Sequence, residues 1–210
     1  MMHGNMNMTK PPANPDHDGM PRILLIDDTD KHTGDLCAAL ATAGYEVRHE
    51  LAGSRALLKA VENHRPDVVV VDVPAPSRAV LEQLALVDRH APRPVVMFTA
   101  DGDERLIQAA VEAGVSAHIV NGRAPARLRP IIQVAQARFA RQSQLRQQLQ
   151  EAQQKLQERT LIEQAKGLLM EKRGMSEADA HAALRQQAMR QNLKLAEVAR
   201  RVLALAELLG

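Results

Sequence analysis

The chain has 210 residues, a formal net charge of +2 and a single cysteine, Cys37. One cysteine excludes an intramolecular disulfide and favours a reducing, cytoplasmic setting. No apolar run approaches the roughly 18 residues that a membrane-spanning helix needs, and no signal-peptide pattern opens the chain. Composition therefore predicts a cytoplasmic protein without a membrane partner, with one well-packed domain and a smaller part.

Charge divides the chain into two parts of opposite sign. Residues 1–20 are rich in Pro, Asn and Met without periodicity, and we expect a disordered tail there. Residues 1–126 carry 12 Lys and Arg against 17 Asp and Glu, a net charge of −5, whereas residues 127–210 carry 15 against 8, a net charge of +7. The basic part is a candidate for binding a polyanion, although ordinary solvated helices are often basic as well.

Short Val- and Ile-rich runs alternate with amphipathic segments over residues 21–126. The predicted strands are 22–27, 45–50, 67–73, 94–100 and 117–121. The predicted helices between them are 31–43, 54–64, 77–90 and 103–113, and another begins at Pro125. This alternation predicts an α/β domain with a five-stranded parallel, doubly wound sheet.

Polar side chains stand where these strands end. Asp27 and Asp28 end the first strand, Asp72 the third and Thr99 the fourth. In an open parallel sheet the carboxyl ends of the strands form the functional crevice. Carboxylate ligands suit Mg²⁺, and a cation would offset the repulsion between adjacent acids. The alternative is that the acids simply face solvent at the starts of loops.

The stretches "LLIDD", "VVVVDVPAP" and "VVMFTA" resemble the receiver domain of bacterial two-component response regulators. The resemblance implies a Mg²⁺ site at Asp27, Asp28 and Asp72, with Asp72 as the phosphoacceptor. It also implies that Thr99 contacts the phosphoryl oxygens and that a histidine kinase is a partner.

Two positions depart from the receiver pattern. Asn121 stands where receivers usually have a lysine, and asparagine can donate a hydrogen bond but cannot neutralise a phosphoryl charge. His118 stands where an aromatic residue is often found. Two interpretations therefore stay open: control by phosphorylation, or a receiver-like fold that serves as a docking surface for a sensor protein.

A long helical pattern links the two parts of the chain. Leu145, Leu149, Ala152 and Leu156 are spaced 4-3-4 within a glutamine-rich stretch, which predicts a short coiled-coil seam over the linker, residues 127–160. A parallel homodimer would bury this seam, and a single solvated helix is the alternative.

Residues 161–210 predict an all-α domain of three helices. Gly174 ends the first helix, and Ser176 with Asp179 opens the second in the manner of a capping box. Basic residues are expected on the surface of the domain: Lys166, Lys172, Arg173, Arg185, Arg190, Lys194, Arg200 and Arg201.

The stretch "IEQAKGLLMEKRGMSEADAHAALRQQAMRQNLKLAEVARRVL", residues 162–203, resembles the ANTAR output domain, the RNA-binding antiterminator module of the AmiR/NasR class. The resemblance implies that the protein binds paired hairpins in leader mRNA and prevents a terminator from forming. The class includes nitrate/nitrite antiterminators that a sensor protein holds inactive. We therefore predict a non-enzymatic regulator of transcription antitermination, with RNA contacts at Lys166, Arg185, Arg190 and Lys194.

The alternative is a DNA-binding two-component response regulator. "KLAEVARR" resembles the first helix of a helix-turn-helix, but only nine residues follow Arg201, without a turn signal. An enzyme is disfavoured because the sequence shows no nucleophile–base pair and no cofactor fingerprint.

Overall fold

A computed structural model describes residues 20–27, 33–51, 57–100, 102–121 and 124–209. Residues 1–19 of the predicted tail lie outside the described residues, and Asp28 lies outside them as well. The chain divides into two compact units, one reaching Ser143 and one beginning at Gln144. In the described helices, no stretch is long and apolar enough to span a bilayer.

The first unit contains a five-stranded parallel sheet with the order β2-β1-β3-β4-β5. The strands are β1 Arg22–Asp27, β2 Glu46–Leu51, β3 Val68–Asp72, β4 Val95–Thr99 and β5 Ala117–Val120. The helices are α1 Thr33–Thr42, α2 Leu57–His64, α3 Arg78–His90, α4 Glu104–Glu112 and the beginning of α5, Pro125–Arg173. This arrangement confirms the predicted doubly wound α/β fold.

Helices cover both faces of the sheet, which explains the continuous apolar runs of the central strands. Leu24 and Ile26 of β1 join α2, α3 and α4 in one apolar cluster. Ile23 and Leu25 face the other way and join α1 and α5 in a second cluster. Successive side chains of a strand point to opposite faces, so β1 contributes to both clusters.

A glycine fixes the turn between α4 and β5. Gly114 has a φ of +86°, and a Cβ built at this position would lie 2.6 Å from the side chain of Asp88. Both the left-handed backbone and the close approach require a residue without a Cβ. The chain can therefore leave α4 and enter β5 directly.

The second unit packs the carboxyl part of α5 with α6, Glu177–Gln191, and α7, Leu195–Leu209. Gly174, with a φ of +62°, follows the end of α5, and the Ser176 hydroxyl accepts a hydrogen bond from the Asp179 amide at 3.2 Å. The core includes Ala165, Leu184, Ala188, Val198 and Ala199. The three predicted helices and the predicted N-cap of α6 are confirmed.

Candidate functional site

The carboxyl edge of the sheet brings together three of the four side chains predicted for the acidic site. Asp27 and Asp72 are register partners on β1 and β3, and each is only 2% exposed. Thr99 ends β4 and is 3% exposed. Asp28, the fourth, lies outside the described residues.

Backbone hydrogen bonds hold this edge in register up to the strand ends. The Val73 amide donates to the Phe98 carbonyl at 3.2 Å, and the Asn121 amide donates to the Thr99 carbonyl at 3.1 Å. Asn121 adopts a left-handed φ of +51°, a conformation that asparagine tolerates better than most residues. The backbone therefore fixes Asp72 and Thr99 on neighbouring strands.

A hydrogen bond joins Thr99 to His118. Oγ1 of Thr99 lies 2.7 Å from Nε2 of the imidazole. Burial lowers the pKa of His118, which favours the neutral ring at pH 7. Our sequence reasoning missed this contact. The strand register could have indicated this contact. Val120 of β5 is the register partner of Thr99, and His118 lies two residues before Val120. Residues two apart on a strand share a face, so His118 lies on the same face of β5 as that partner.

The donor set of the edge fits a hard divalent cation. Asp27 and Asp72 supply carboxylate oxygens from adjacent positions, and neighbouring buried carboxylates both favour a bound cation. Within the described ranges, no group of three His, Cys, Asp or Glu side chains is placed to hold a metal, and the third predicted ligand, Asp28, lies outside those ranges.

Lys166 is not on the surface of the second unit, contrary to the sequence-based expectation. It is 8% exposed, and its Nζ lies 2.8 Å from Oε2 of Glu163 and 2.7 Å from Oε1 of Glu177. The hydrogen bonds that the Lys166 ammonium donates to these carboxylates raise the pKa of Lys166, and the bond that Glu177 accepts lowers the pKa of Glu177. The ammonium therefore connects α5 to α6 within the fold, which favours a structural role over an RNA contact.

The lysine and arginine side chains that follow Gly174 fall into two groups. Arg200 and Arg201 both pair with Glu197 one turn earlier on α7. Arg185, Arg190 and Lys194 are exposed, and no ion pair joins any of them to a carboxylate among the described residues. These three remain available to a polyanion on α6 and at the turn to α7.

Family models match both units. The response regulator receiver domain matches residues 23–133, and the ANTAR domain matches residues 150–203. The fold and the acidic edge thus define a receiver domain, a module of two-component regulation. The chain belongs to the response regulators that join a receiver domain to an ANTAR domain. Both matched families are regulatory rather than enzymatic.

A curated relative matches along nearly the whole chain. The transcriptional regulatory protein PdtaR of Mycobacterium tuberculosis is 31% identical over 196 residues, which cover 93% of this chain and 96% of the relative. The transcriptional regulatory protein PrrA of Mycobacterium bovis is 33% identical over 103 residues, which cover 48% of this chain and 43% of PrrA. The second match therefore concerns only part of each protein.

Solved structures show the same fold for the first unit. The CheY-like receiver domain protein of Methanospirillum hungatei superposes with a TM-score of 0.51 at 23% identity, covering 59% of this chain and 99% of that chain. The receiver domain of a diguanylate cyclase from Desulfovibrio desulfuricans gives a TM-score of 0.51 at 20% identity, with coverages of 57% and 96%. At these identities the likeness supports the fold alone.

Proposed function

We propose that the protein regulates transcription antitermination by binding hairpins in leader mRNA through its ANTAR domain, residues 161–210. The match to the ANTAR family carries this proposal, and the surface of α6 supports it. A receiver-like domain, residues 21–126, controls the output, and residues 127–160 link the two.

The exposed cations suit a phosphate backbone. Arg185, Arg190 and Lys194 have no carboxylate partner in the described structure, so no internal ion pair must break when RNA binds. Arginine pairs with phosphate in a bidentate manner, and such contacts position a protein on nucleic acid without reading its sequence.

The alternative, a DNA-binding response regulator, needs a second helix after "KLAEVARR". In the structure α7 is a single helix from Leu195 to Leu209, and it continues through Arg201 without a turn. A helix-turn-helix requires a short turn and then a recognition helix, so this segment does not supply one.

A salt titration of the full-length protein tests the proposal. Binding of a two-hairpin leader RNA is compared with binding of duplex DNA of the same sequence, for wild type, Arg185→Gln, Arg190→Gln and Lys172→Gln. We expect a preference for RNA. Each of the first two variants should weaken binding and reduce the slope of log K against log salt by about 0.7 to 0.9, the effect of one lost phosphate contact. Lys172→Gln removes an exposed charge from α5 as the matched control.

Equal or stronger binding to duplex DNA would contradict the proposal. A preference for RNA that none of these charges affects would place the interface elsewhere on the domain.

We further propose that the acidic edge of the receiver-like domain receives the input. Asp72 is the proposed phosphoacceptor, and Asp27, Asp28 and Asp72 the proposed Mg²⁺ ligands, with Thr99 contacting the phosphoryl oxygens. When bound, Mg²⁺ would neutralise the charge of these carboxylates and of the phosphate. Asn121 supplies no positive charge, so control by docking of a sensor protein stays open beside control by a histidine kinase.

Mass spectrometry separates the two kinds of input. The protein is incubated with a small phosphodonor and Mg²⁺, and Asp72→Asn serves as the control. Addition of one phosphoryl group to wild type and none to the variant supports phosphorylation. No addition to either protein favours control by docking.

We propose nitrate or nitrite assimilation genes as the regulated targets, on the sequence resemblance to the nitrate/nitrite antiterminator NasT alone. Read-through of the leader terminator in cells with and without nitrate tests this target. Read-through that depends on the protein but not on nitrate or nitrite would contradict it.

We also propose a parallel homodimer through α5. Leu145, Leu149 and Leu156 are 49%, 60% and 66% exposed, so the predicted seam remains uncovered within one chain. A second copy would bury these leucines at coiled-coil spacing.

A further inference from the structure

The exposed surface of α6 near its carboxyl end combines cationic, amide and apolar side chains. Met189 is 75% exposed, the largest exposed fraction among the large hydrophobic side chains of the described residues. Arg185 lies one helical turn before it, and Gln186 and Arg190 are exposed beside it. Side chains three or four residues apart share a helix face, so these four residues form one surface, which we call the Met189 patch.

The neighbours of Met189 distinguish it from an ordinary exposed hydrophobic residue. Single exposed apolar side chains are common and need no explanation. Here Arg185 and Arg190 flank the side chain, and within the described structure neither of them pairs with a carboxylate. Lys166 and Arg200 of the same unit are both paired with glutamates. An occupant of this surface should therefore carry negative charge together with an apolar face.

We propose that Met189 packs against the face of an unpaired base in the loop of a bound RNA hairpin, while Arg185 and Arg190 contact the neighbouring phosphates. The proposal rests on the proposed RNA-binding function and adds the part of the RNA that this patch recognises. Gln186 can donate to and accept from a base edge in the same loop.

The composition of the domain supports this role for a methionine. Bases in loops expose faces that proteins usually cover with aromatic side chains. This chain has no Phe, Tyr or Trp after Phe139, so in the ANTAR domain a base face can be covered only by the His181 imidazole, a guanidinium or an apolar side chain such as methionine. A methionine thioether is polarizable and makes favourable contacts with aromatic rings.

Charge disfavours a second copy of the chain as the occupant. Residues 127–210 carry a net charge of +7, so two such patches would face each other with unpaired arginines on both sides. RNA supplies phosphates and apolar base faces at once.

The test uses the full-length protein and RNA hairpins with a fixed stem and a randomised loop. A hairpin that wild type selects from this pool is then measured against Met189→Ala, Met189→Leu and Leu205→Ala. The same stem closed as a blunt duplex, without the loop, is the second ligand. Leu205 is 58% exposed on α7 and serves as the matched control.

We expect Met189→Ala to weaken binding of the hairpin about two- to tenfold and to leave binding of the blunt stem unchanged. Met189→Leu should keep most of the affinity because it keeps the apolar volume, and Leu205→Ala should bind as wild type does. Single abasic nucleotides placed around the loop then locate the base. At the position of the contacted base, the abasic substitution combined with Met189→Ala should reduce the binding affinity no further than either change does alone.

Three outcomes would overturn the proposal. If Met189→Ala binds the selected hairpin as tightly as the wild-type protein does, this inference is wrong and the proposed function is unaffected. A changed oligomeric state of Met189→Ala with unchanged RNA affinity would assign the patch to a protein contact. Failure of wild type to bind any hairpin of the pool, or a leader RNA, would overturn the proposed function together with this inference.

Discussion

Nζ of Lys166 on α5 lies 2.7 Å from Oε1 of Glu177 on α6, eleven residues further along the chain. The same ammonium lies 2.8 Å from Glu163, so a lysine that seemed available to RNA is held between two carboxylates. The pair joins two helices of the ANTAR domain across the turn at Gly174. Its position explains a lysine within this motif without any contact to nucleic acid.

Replacing Lys166 by methionine is expected to lower the thermal midpoint of the second unit only slightly, because the ion pairs that join α5 to α6 are lost while both carboxylates stay in contact with water. RNA affinity, measured well below that midpoint, should change by less than about twofold, a small free-energy difference. Lys172→Met removes an exposed charge from the same helix and is the control for the loss of net charge. A large loss of RNA affinity at an unchanged thermal midpoint would show that Lys166 does contact RNA.

The same pair predicts a pH dependence of stability. The pKa of Glu177 is lowered in the folded protein. The ionised side chain therefore contributes to the free energy of unfolding above the ordinary glutamate pKa of about 4.3, and this stabilisation is lost as the pH falls through the lowered pKa. The pKa of Lys166 is raised, so its contribution is lost only above about pH 10.4. Denaturation of wild type and Glu177→Gln from pH 3 to pH 8 checks the acid limb. We expect the stability of wild type and of Glu177→Gln, plotted against pH, to converge at low pH. A constant difference between the two proteins over this range would exclude a contribution from the ionisation of Glu177.

The hydrogen bond between Thr99 and His118 predicts a second pH effect, in the receiver domain. Because burial lowers the pKa of His118, the unfolded chain takes up a proton at a higher pH than the folded one. Stability should therefore decrease as the pH falls below about 6.5 and level off once the folded histidine is protonated. Denaturant unfolding of wild type and His118→Phe between pH 5 and pH 8 tests this.

For His118→Phe we expect a loss of about 1 kcal/mol at pH 8, the net value of one hydrogen bond, and a flatter pH profile. His49→Phe replaces an exposed histidine on β2 in the same way and serves as the control. An unchanged profile in His118→Phe would assign the pH dependence to other groups.

Magnesium is expected to stabilise the receiver domain through Asp27 and Asp72. A ligand that binds only the folded state stabilises it by about 1.4 kcal/mol at ten times its Kd. Thermal unfolding with increasing Mg²⁺ should show this rise in wild type and a much smaller one in Asp27→Asn and Asp72→Asn. Asp35→Asn changes an exposed carboxylate on α1 and is the control. Equal stabilisation of all four proteins would indicate that Mg²⁺ binds elsewhere.

The exposed leucines of α5 predict a dimer that depends on them. Leu149→Lys combined with Leu156→Lys should convert a dimer to a monomer in sedimentation equilibrium, because it places four charges in the apolar seam of two chains. Gln150→Lys combined with Gln157→Lys adds the same charge beside the seam and should leave the dimer intact. A wild-type monomer at micromolar concentration would contradict the proposed coiled coil.

The sequence alone determined the fold class and the place of the acidic edge. Val68–Val71 and Val95–Phe98 are continuous apolar runs, which are typical of strands covered on both faces. Once such strands are parallel, their carboxyl ends meet, so Asp27, Asp72 and Thr99 had to lie at one edge. The predicted domain boundaries, the roles of these three residues in Mg²⁺ binding and phosphorylation, and the predicted RNA contacts stay predictions.

Tertiary structure alone decided which polar groups pair across elements. Hydrophobic periodicity states which face of a helix is buried, but not which side chain of another element lies opposite. Glu163 precedes Lys166 by one turn and could have been anticipated, whereas Glu177 reaches the same ammonium only because α6 folds back on α5. The register of β4 and β5 likewise brings His118 to the hydroxyl of Thr99. Such contacts join residues that are distant in sequence, and their geometry exists only after the helices and strands have packed.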